Sequence, residues 1–231
     1  MPGQSVHHPA DAAQGTALIR GAAALGVALT ERDAARLLML LDELARWNRR
    51  FNLTAIKDRR DMITHHLLDS LAVHRYLRGL AVADVGTGAG FPGLPLALVD
   101  PERRFTLIDS SGKKIRFVSH AQRTLGLVNV EPLQARVERL RPATPFDTVI
   151  ARAFAPLAQL VSAVTPLAGP DTRVLAMKGR WPASELEALP RGWRVAESHP
   201  IAVPGLEEER HLVILTAAPQ SRPSGGAPSS P

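Results

Sequence analysis

The chain has 231 residues, 45% of them apolar, enough for one generous domain or a domain with a small appendage. It contains no cysteine, which excludes disulfides, thiolate metal sites and cysteine nucleophiles. Basic residues, mostly arginine, exceed acidic ones by 28 to 22, a net charge of +6. That bias suits a polyanionic partner, although arginine-rich usage also has genomic origins.

The N-terminal stretch MPGQSVHHPADAAQ lacks the basic start and apolar run of a secretory signal. No apolar run approaches the roughly 20 residues needed to cross a bilayer. The expectation is a soluble cytoplasmic protein with no membrane partner. Residues 1–13 and the Pro/Ser/Gly-rich 218–231 read as unstructured tails.

Residues 14–79 read as a helical part. Thr30 and Asp33 have the spacing of a helix start. Leu37, Leu40, Leu41, Leu44 and Trp47 then share one face, with Arg36, Asp42, Glu43 and Arg46 on the other. A second helix is predicted over about 59–77, with Ile63, Leu67, Leu71 and Leu68 facing inward. His65 and His66 are neighbours, which on a helix do not face one site, so surface or locally bonded histidines are expected and no metal.

Between 80 and 217 strands alternate with helices. Strands are predicted at 81–86, 104–109, 128–134, 146–152, 173–179, 193–203 and 211–217, and helices at 92–99, 113–126 and 157–167. This alternation implies a parallel sheet covered on both faces. The last two strands are too close in sequence for a crossover helix and should pair antiparallel.

The central motif runs Asp84-Val-Gly86-Thr-Gly88-Ala-Gly90-Phe91-Pro92-Gly93, between an apolar strand and a helix. Such a loop brings backbone close to a nucleotide-like ligand without an intervening Cβ. Gly88 and Gly90 are two apart, whereas a dinucleotide fingerprint spaces its second and third glycines by three. The pattern resembles the cofactor loop of S-adenosylmethionine methyltransferases, in which Asp84 would help place the methionine ammonium. Asp109 ends the next strand, where a carboxylate can accept from both ribose hydroxyls; it fits NAD as well. The loop Ala135-Arg136-Val137-Glu138 follows the third strand, where methyltransferases of this fold contact adenine. Arg152 ends the fourth strand at the sheet's carboxyl edge.

Absences narrow the reaction. Methylation of pyrimidine C5 through a cysteinyl adduct is excluded. ARAFAPL (151–157) stands where exocyclic amino-group methyltransferases carry an Asn/Asp-Pro-Pro-Tyr clamp. An acceptor with its own lone pair, such as guanine N7, needs no general base, so alignment and desolvation suffice. A ribose hydroxyl served by Lys178 is the competing chemistry.

The chain resembles the bacterial 16S rRNA guanine-N7 methyltransferase G family, also called glucose-inhibited division protein B. The matching segments are Trp47-Asn48-x-x-Phe51-Asn52-Leu53-Thr54, His65-x-Leu67-Leu68-Asp69-Ser70, the glycine loop, Leu107-Ile108-Asp109-Ser110 and Lys113-Lys114. Arg136-Val137-Glu138, Arg152-Ala153-Phe154, Lys178-Gly179 and Glu209-Arg210-His211-Leu212 complete them, over about residues 17–216. The resemblance implies a Rossmann-like class I methyltransferase, with a seven-stranded, mostly parallel sheet ending in an antiparallel hairpin behind N-terminal helices. It implies S-adenosyl-L-methionine as cofactor, held by Gly86, Phe91, Val137, Glu138 and Arg152, which join Gly88, Gly90 and Asp109. It places Asn52, His65, Asp69, Arg152 and Lys178 around the mouth where a guanine enters, and it supplies no catalytic acid or base. The implied partner is 16S rRNA, the small ribosomal subunit or an assembly intermediate, with no obligate protein partner evident. A methyltransferase for a small molecule or protein, an NAD-dependent oxidoreductase and a non-catalytic RNA-binding module are the competing readings.

Overall fold

Apolar segments of five to eleven residues recur from residue 81 onward, and they bury one another in a single sheet. The computed structural model describes residues 9–218. Its strands are β1 (Ala81–Val85), β2 (Arg104–Asp109), β3 (Val130–Gln134), β4 (Phe146–Arg152), β5 (Ala168–Lys178), β6 (Trp193–Pro200) and β7 (His211–Ala217). They lie in the order β3-β2-β1-β4-β5-β7-β6. The first five are parallel, while β7 pairs antiparallel with both β5 and β6. The expected hairpin is present, and its second strand inserts between β5 and β6. Central strands are buried on both faces and nearly all apolar, as a doubly covered sheet requires; β6, at the edge, is largely exposed.

The helices are α1 (Pro9–Ala24), α2 (Glu31–Phe51), α3 (Arg59–Met62), α4 (Asp69–Leu71), α5 (Gly93–Val99), α6 (Gly112–Leu125), α7 (Leu157–Val164) and α8 (Ala183–Glu187). α5, α6 and α7 are the crossovers that return the chain between parallel strands. α5, α6 and the N-terminal helices share one core, in which Leu37, Leu40, Leu41 and Leu44 of α2 pack with Leu94, Phe105, Phe117 and Val118, while α7 packs a second cluster with Leu157, Leu160 and Val161.

Several local expectations change. The first tail, expected to be unstructured through residue 13, is helical from Pro9. Proline suits a first helical position, and the alanine-rich turns behind it carry Leu18 and Ala22 into the core. The rest of that tail, and 219–231 of the other, lie outside the described residues. The helix expected over 59–77 is interrupted: after α3, residues Ile63–Leu68 form a π-helical stretch, α4 follows, and a 3-10 turn spans His74–Tyr76. Asp69 donates its N–H to the Thr64 carbonyl, five residues back. The wider turn rotates the next residues about the helix axis, so His66, Asp69 and Ser70 are buried beside the expected Ile63, Leu67, Leu68 and Leu71. Glu43, expected on the outer face of α2, is 6% exposed. α6 covers that side, and His120 Nε2 meets the Glu43 carboxylate at 2.8 Å.

The start of α2 is as the sequence anticipates. Thr30 Oγ1 accepts from the Asp33 N–H at 3.1 Å, and the Asp33 carboxylate accepts from the Thr30 N–H at 3.1 Å. This reciprocal cap satisfies two backbone donors that the helix leaves unpaired. Thr30→Ala should therefore lower stability by about 1 kcal/mol. In urea unfolding the midpoint should fall with an unchanged slope; an unshifted midpoint would remove the cap from the account of this helix.

Candidate active site

Parallel pairing brings the carboxyl ends of β1, β2 and β4 to one edge of the sheet, where α/β folds hold ligands. The turn from β1 into α5 is the glycine loop, and one buried carboxylate fastens it. Asp84 Oδ2 accepts from Thr87 Oγ1 at 2.6 Å and from the Gly93 N–H at 2.8 Å, so both ends of the loop are tied to the strand beneath. Asp84 has no solvent exposure, and burial pushes its pKa up to about 6. Oδ2 thus fastens the loop, while Oδ1 is buried without a hydrogen-bond partner among the described residues.

Gly86, Gly88 and Gly90 all have positive φ, at 68°, 62° and 85°. At Gly86 an added Cβ would lie 2.5 Å from the Phe154 ring. At Gly90 it would collide with Leu94, so that glycine serves the packing of α5. Gly88 meets nothing nearer than 3.9 Å, which leaves open space above the loop's centre.

A cavity of about 270 Å³ opens beside this loop. Gly86, Asp109, Val137 and Glu138 line it, as expected from sequence. So do Lys114, Ala153 and Phe154, which sequence reasoning did not single out although each sits inside a quoted motif. Ala153 has a positive φ of 50°, the turn by which the chain leaves β4 and brings Phe154 against Gly86. Gly88 reaches the cavity indirectly, through its N–H to Asp109 Oδ2 at 3.0 Å. Gly90, Phe91 and Arg152 do not line it.

The cavity suits adenosine. Ile108 and Val137 offer apolar walls to a flat base, and Asp109 offers a carboxylate. Asp109 is more heavily used than the sequence implied. Oδ2 accepts from Gly88 and, at 3.4 Å, from Lys114 Nζ, while Oδ1 accepts from the Ser111 N–H at 2.8 Å. Each carboxylate oxygen accepts two bonds, so Oδ1 retains a place for one ribose hydroxyl. A grip on both requires Lys114 to move away. Glu138 is exposed at the rim and forms no side-chain hydrogen bond among the described residues.

Behind the loop lies a second constellation. The His66 ring stacks on Phe91 with centroids 4.8 Å apart, and the Arg152 guanidinium lies 5.8 Å from the Phe91 centroid. Phe91 is thus enclosed, 3% exposed, and supports the loop from behind. Arg152 Nη1 donates to the His65 carbonyl at 2.8 Å and to Asp69 Oδ2 at 3.1 Å. Arg210 Nε donates to Asp69 Oδ1 at 3.2 Å. One buried carboxylate therefore holds two guanidinium groups brought from distant parts of the chain. His66 bonds Thr54 Oγ1 at 3.0 Å, and burial, then the Arg152 and His65 charges, push its pKa down to about 4. It is neutral at physiological pH, in line with a locally bonded histidine.

Three of the five residues expected at a pocket mouth thus meet: Asp69, Arg152 and, through its backbone, His65. Lys178 lines a small void with Asp69 and Arg210, and its ammonium donates to Glu185 at 2.7 Å and to the Ala155 carbonyl at 3.1 Å. Both contacts tie the Lys178 side chain to partners within the fold. Asn52 is apart from this group. It caps α2 in a left-handed conformation, φ 48°, and is exposed. The Asn-Leu-Thr segment owes its place to Asn48, whose side chain bonds both the N–H and the carbonyl of Thr54 at 2.9 Å.

A family model described as rRNA small subunit methyltransferase G (GidB) matches residues 33–213. The chain belongs to this family. Ribosomal RNA small subunit methyltransferase G of Pseudomonas aeruginosa (strain LESB58) is 47% identical over 199 residues, covering 86% of this chain and 93% of that protein. The namesake from Cronobacter sakazakii is 45% identical over 192 residues, covering 83% and 93%. Among solved structures, the magnesium protoporphyrin IX methyltransferase of Synechocystis PCC 6803 with bound SAM superposes with a TM-score of 0.54 at 20% identity, over 82% of this chain and 99% of that one. A SAM-dependent methyltransferase from Aquifex aeolicus gives 0.53 at 20% identity, over 72% and 97%. These two likenesses establish the fold, and family membership sets aside the oxidoreductase reading.

The buried Asp84 has a thermodynamic consequence. Its folded pKa, about 6, exceeds the ordinary 3.8. Between those values the folded chain holds a proton that the unfolded chain has released, so this group's contribution to stability declines as pH rises through that window. Asp84→Asn keeps an acceptor for Thr87 and Gly93 and cannot ionise. From pH 4 to pH 7 the wild type should lose up to about 3 kcal/mol relative to this variant. Urea unfolding of both proteins across the range measures the difference; parallel stability curves would contradict it.

Proposed function

We propose that this chain transfers the methyl group of S-adenosylmethionine to N7 of a single guanine in 16S rRNA. The observation that carries the reading is membership of the rRNA small subunit methyltransferase G family, in a chain whose glycine loop and Asp109 border an adenosine-compatible cavity. The reading places its work in the cytoplasm, on 16S rRNA, the small subunit or an assembly intermediate.

S-adenosylmethionine, when bound, supplies a sulfonium-activated methyl group. Gly86, Gly88, Asp109, Val137 and Glu138 are the residues that would hold it. Guanine N7 carries its lone pair in the ring plane and loses no proton on methylation, so the chain's task is to align and desolvate. The Asp69–Arg152–Arg210 group would favour a nucleotide's phosphate beside the loop: two guanidinium groups share one carboxylate, which leaves the group with a net positive charge. Arg152 Nη1 is committed to Asp69 and the His65 carbonyl, which fixes the guanidinium at the end of β4. Glu138, exposed at the cavity rim, would offset positive charge that reaches the base.

The decisive assay offers the purified chain and methyl-labelled S-adenosylmethionine to small subunits from a strain lacking this gene. Label in 16S rRNA, with strand cleavage at one N7-methylguanine, is expected; saturable cofactor binding without labelled RNA would overturn the rRNA reading. Gly88→Asp should lower cofactor affinity at least about 100-fold. It forces a side chain into a positive-φ position and sets a second carboxylate beside Asp109. Calorimetry with S-adenosylhomocysteine reads the loss, and wild-type affinity would remove Gly88 from the site.

A further inference from the structure

The C-terminal end of α2 carries a surface that the cofactor site does not use. Arg46, Trp47, Arg49, Arg50 and Phe51 enclose an open cleft of about 520 Å³. Its floor is aromatic: Trp47 lies 5.3 Å from Phe51 and 5.6 Å from Phe117 between ring centroids. Its rim is cationic. Arg49 and Arg50 are exposed and form no ion pair among the described residues, and Lys113 and Arg116 of α6 extend the charge on the neighbouring helix. Arg46 pairs with Glu43, yet its side chain remains 62% exposed.

Stabilising the helix end accounts for only part of this charge. The last turn of a helix favours a cation, and Lys113 Nζ already donates to the Phe51 carbonyl at 3.2 Å. Arg49, Arg50 and Arg116 are additional, and among the described residues no acidic side chain is paired with them. Lys113 also ties the cleft to the cofactor cavity, because its neighbour Lys114 lines that cavity and bonds Asp109. The first turn of α6 therefore carries positive charge from one to the other without a break.

We propose that this cleft docks a single-stranded segment of the substrate RNA next to the target nucleotide, with phosphates on Arg49, Arg50 and Lys113 and a base against Phe51 and Trp47. The inference rests on the rRNA reading of the active site. Arginines bordering an aromatic floor are the combination that holds unpaired nucleotides: phosphates release counterions, and an exposed base finds a π face. A helix-terminal cleft also receives a single strand more readily than a duplex, whose bases are stacked inside.

The test measures binding of the full chain to transcribed 16S rRNA over about 50–200 mM salt, alongside methyl transfer to small subunits. Arg49→Ala/Arg50→Ala should weaken RNA binding about tenfold and reduce the slope of log affinity against log salt by about 1.4, near 0.7 per lost phosphate contact. Phe51→Leu keeps apolar volume but loses the ring, and should weaken binding about fivefold or more at an unchanged slope. Affinity for S-adenosylhomocysteine should stay within about twofold in both. Arg191→Ala/Arg194→Ala removes the same charge from the exposed end of β6 and should leave RNA binding unchanged. Equal losses at the two arginine pairs, an unshifted slope in Arg49→Ala/Arg50→Ala, or stronger competition by duplex than by single-stranded RNA would overturn the proposal. The two readings separate cleanly. Wild-type methyl transfer with no effect of these substitutions on KM sinks the docking surface and keeps the enzyme. RNA binding that depends on Arg49 and Arg50, without transfer to RNA, keeps the surface and sinks the enzymatic reading.

Discussion

A single ionisable group with no access to water holds the glycine loop in shape. Asp84 lies near the end of the deeply buried β1, and its carboxylate gathers the Thr87 hydroxyl and the Gly93 N–H. The two positive-φ glycines between these anchors, Gly88 and Gly90, would otherwise be the freest part of the backbone, since glycine loses most conformational freedom on folding. Fastening the loop from below leaves its upper surface clear. Asp109 can then take the Gly88 N–H from the adjacent strand, and Phe154 can close against Gly86. A carboxylate held in this way is an internal strut, and the acids that line the cavity are Asp109 and Glu138.

The N-terminal helices do more than cover one face of the sheet. Their π-helical stretch sets His66 against Phe91 and presents Asp69 to Arg152 from β4 and to Arg210 from the loop before β7. A buried carboxylate with two guanidinium partners has its desolvation offset by charge-assisted bonds, one on each oxygen. The glycine loop, the fourth strand and the last connection of the sheet are thereby registered against one helical segment. Positive charge also runs from the cavity through Lys114 and Lys113 toward α2.

The sequence by itself determined the parts that rest on local chemistry and on periodicity. The Thr30–Asp33 cap, the apolar face of α2, every strand of the sheet and the glycine-loop spacing were all readable, because each is specified within a few residues by donor geometry, side-chain period or tolerance of positive φ. So was the cavity's lining by Gly86, Asp109, Val137 and Glu138, since a parallel sheet sends the ends of neighbouring strands to one edge. Tertiary structure alone decided what depends on a partner from elsewhere in the chain. Glu43 turned inward because α6 supplied His120. Phe91 became a support because His66 and Arg152 enclosed it, and Lys178 was taken by Glu185. The helix over 59–77 widened into a π turn that no period of apolar residues announces, and that one extra residue per turn placed Asp69 between two arginines 58 positions apart in the chain. Pairings of that kind are set by which surfaces pack together, and so they exist only once the chain has folded.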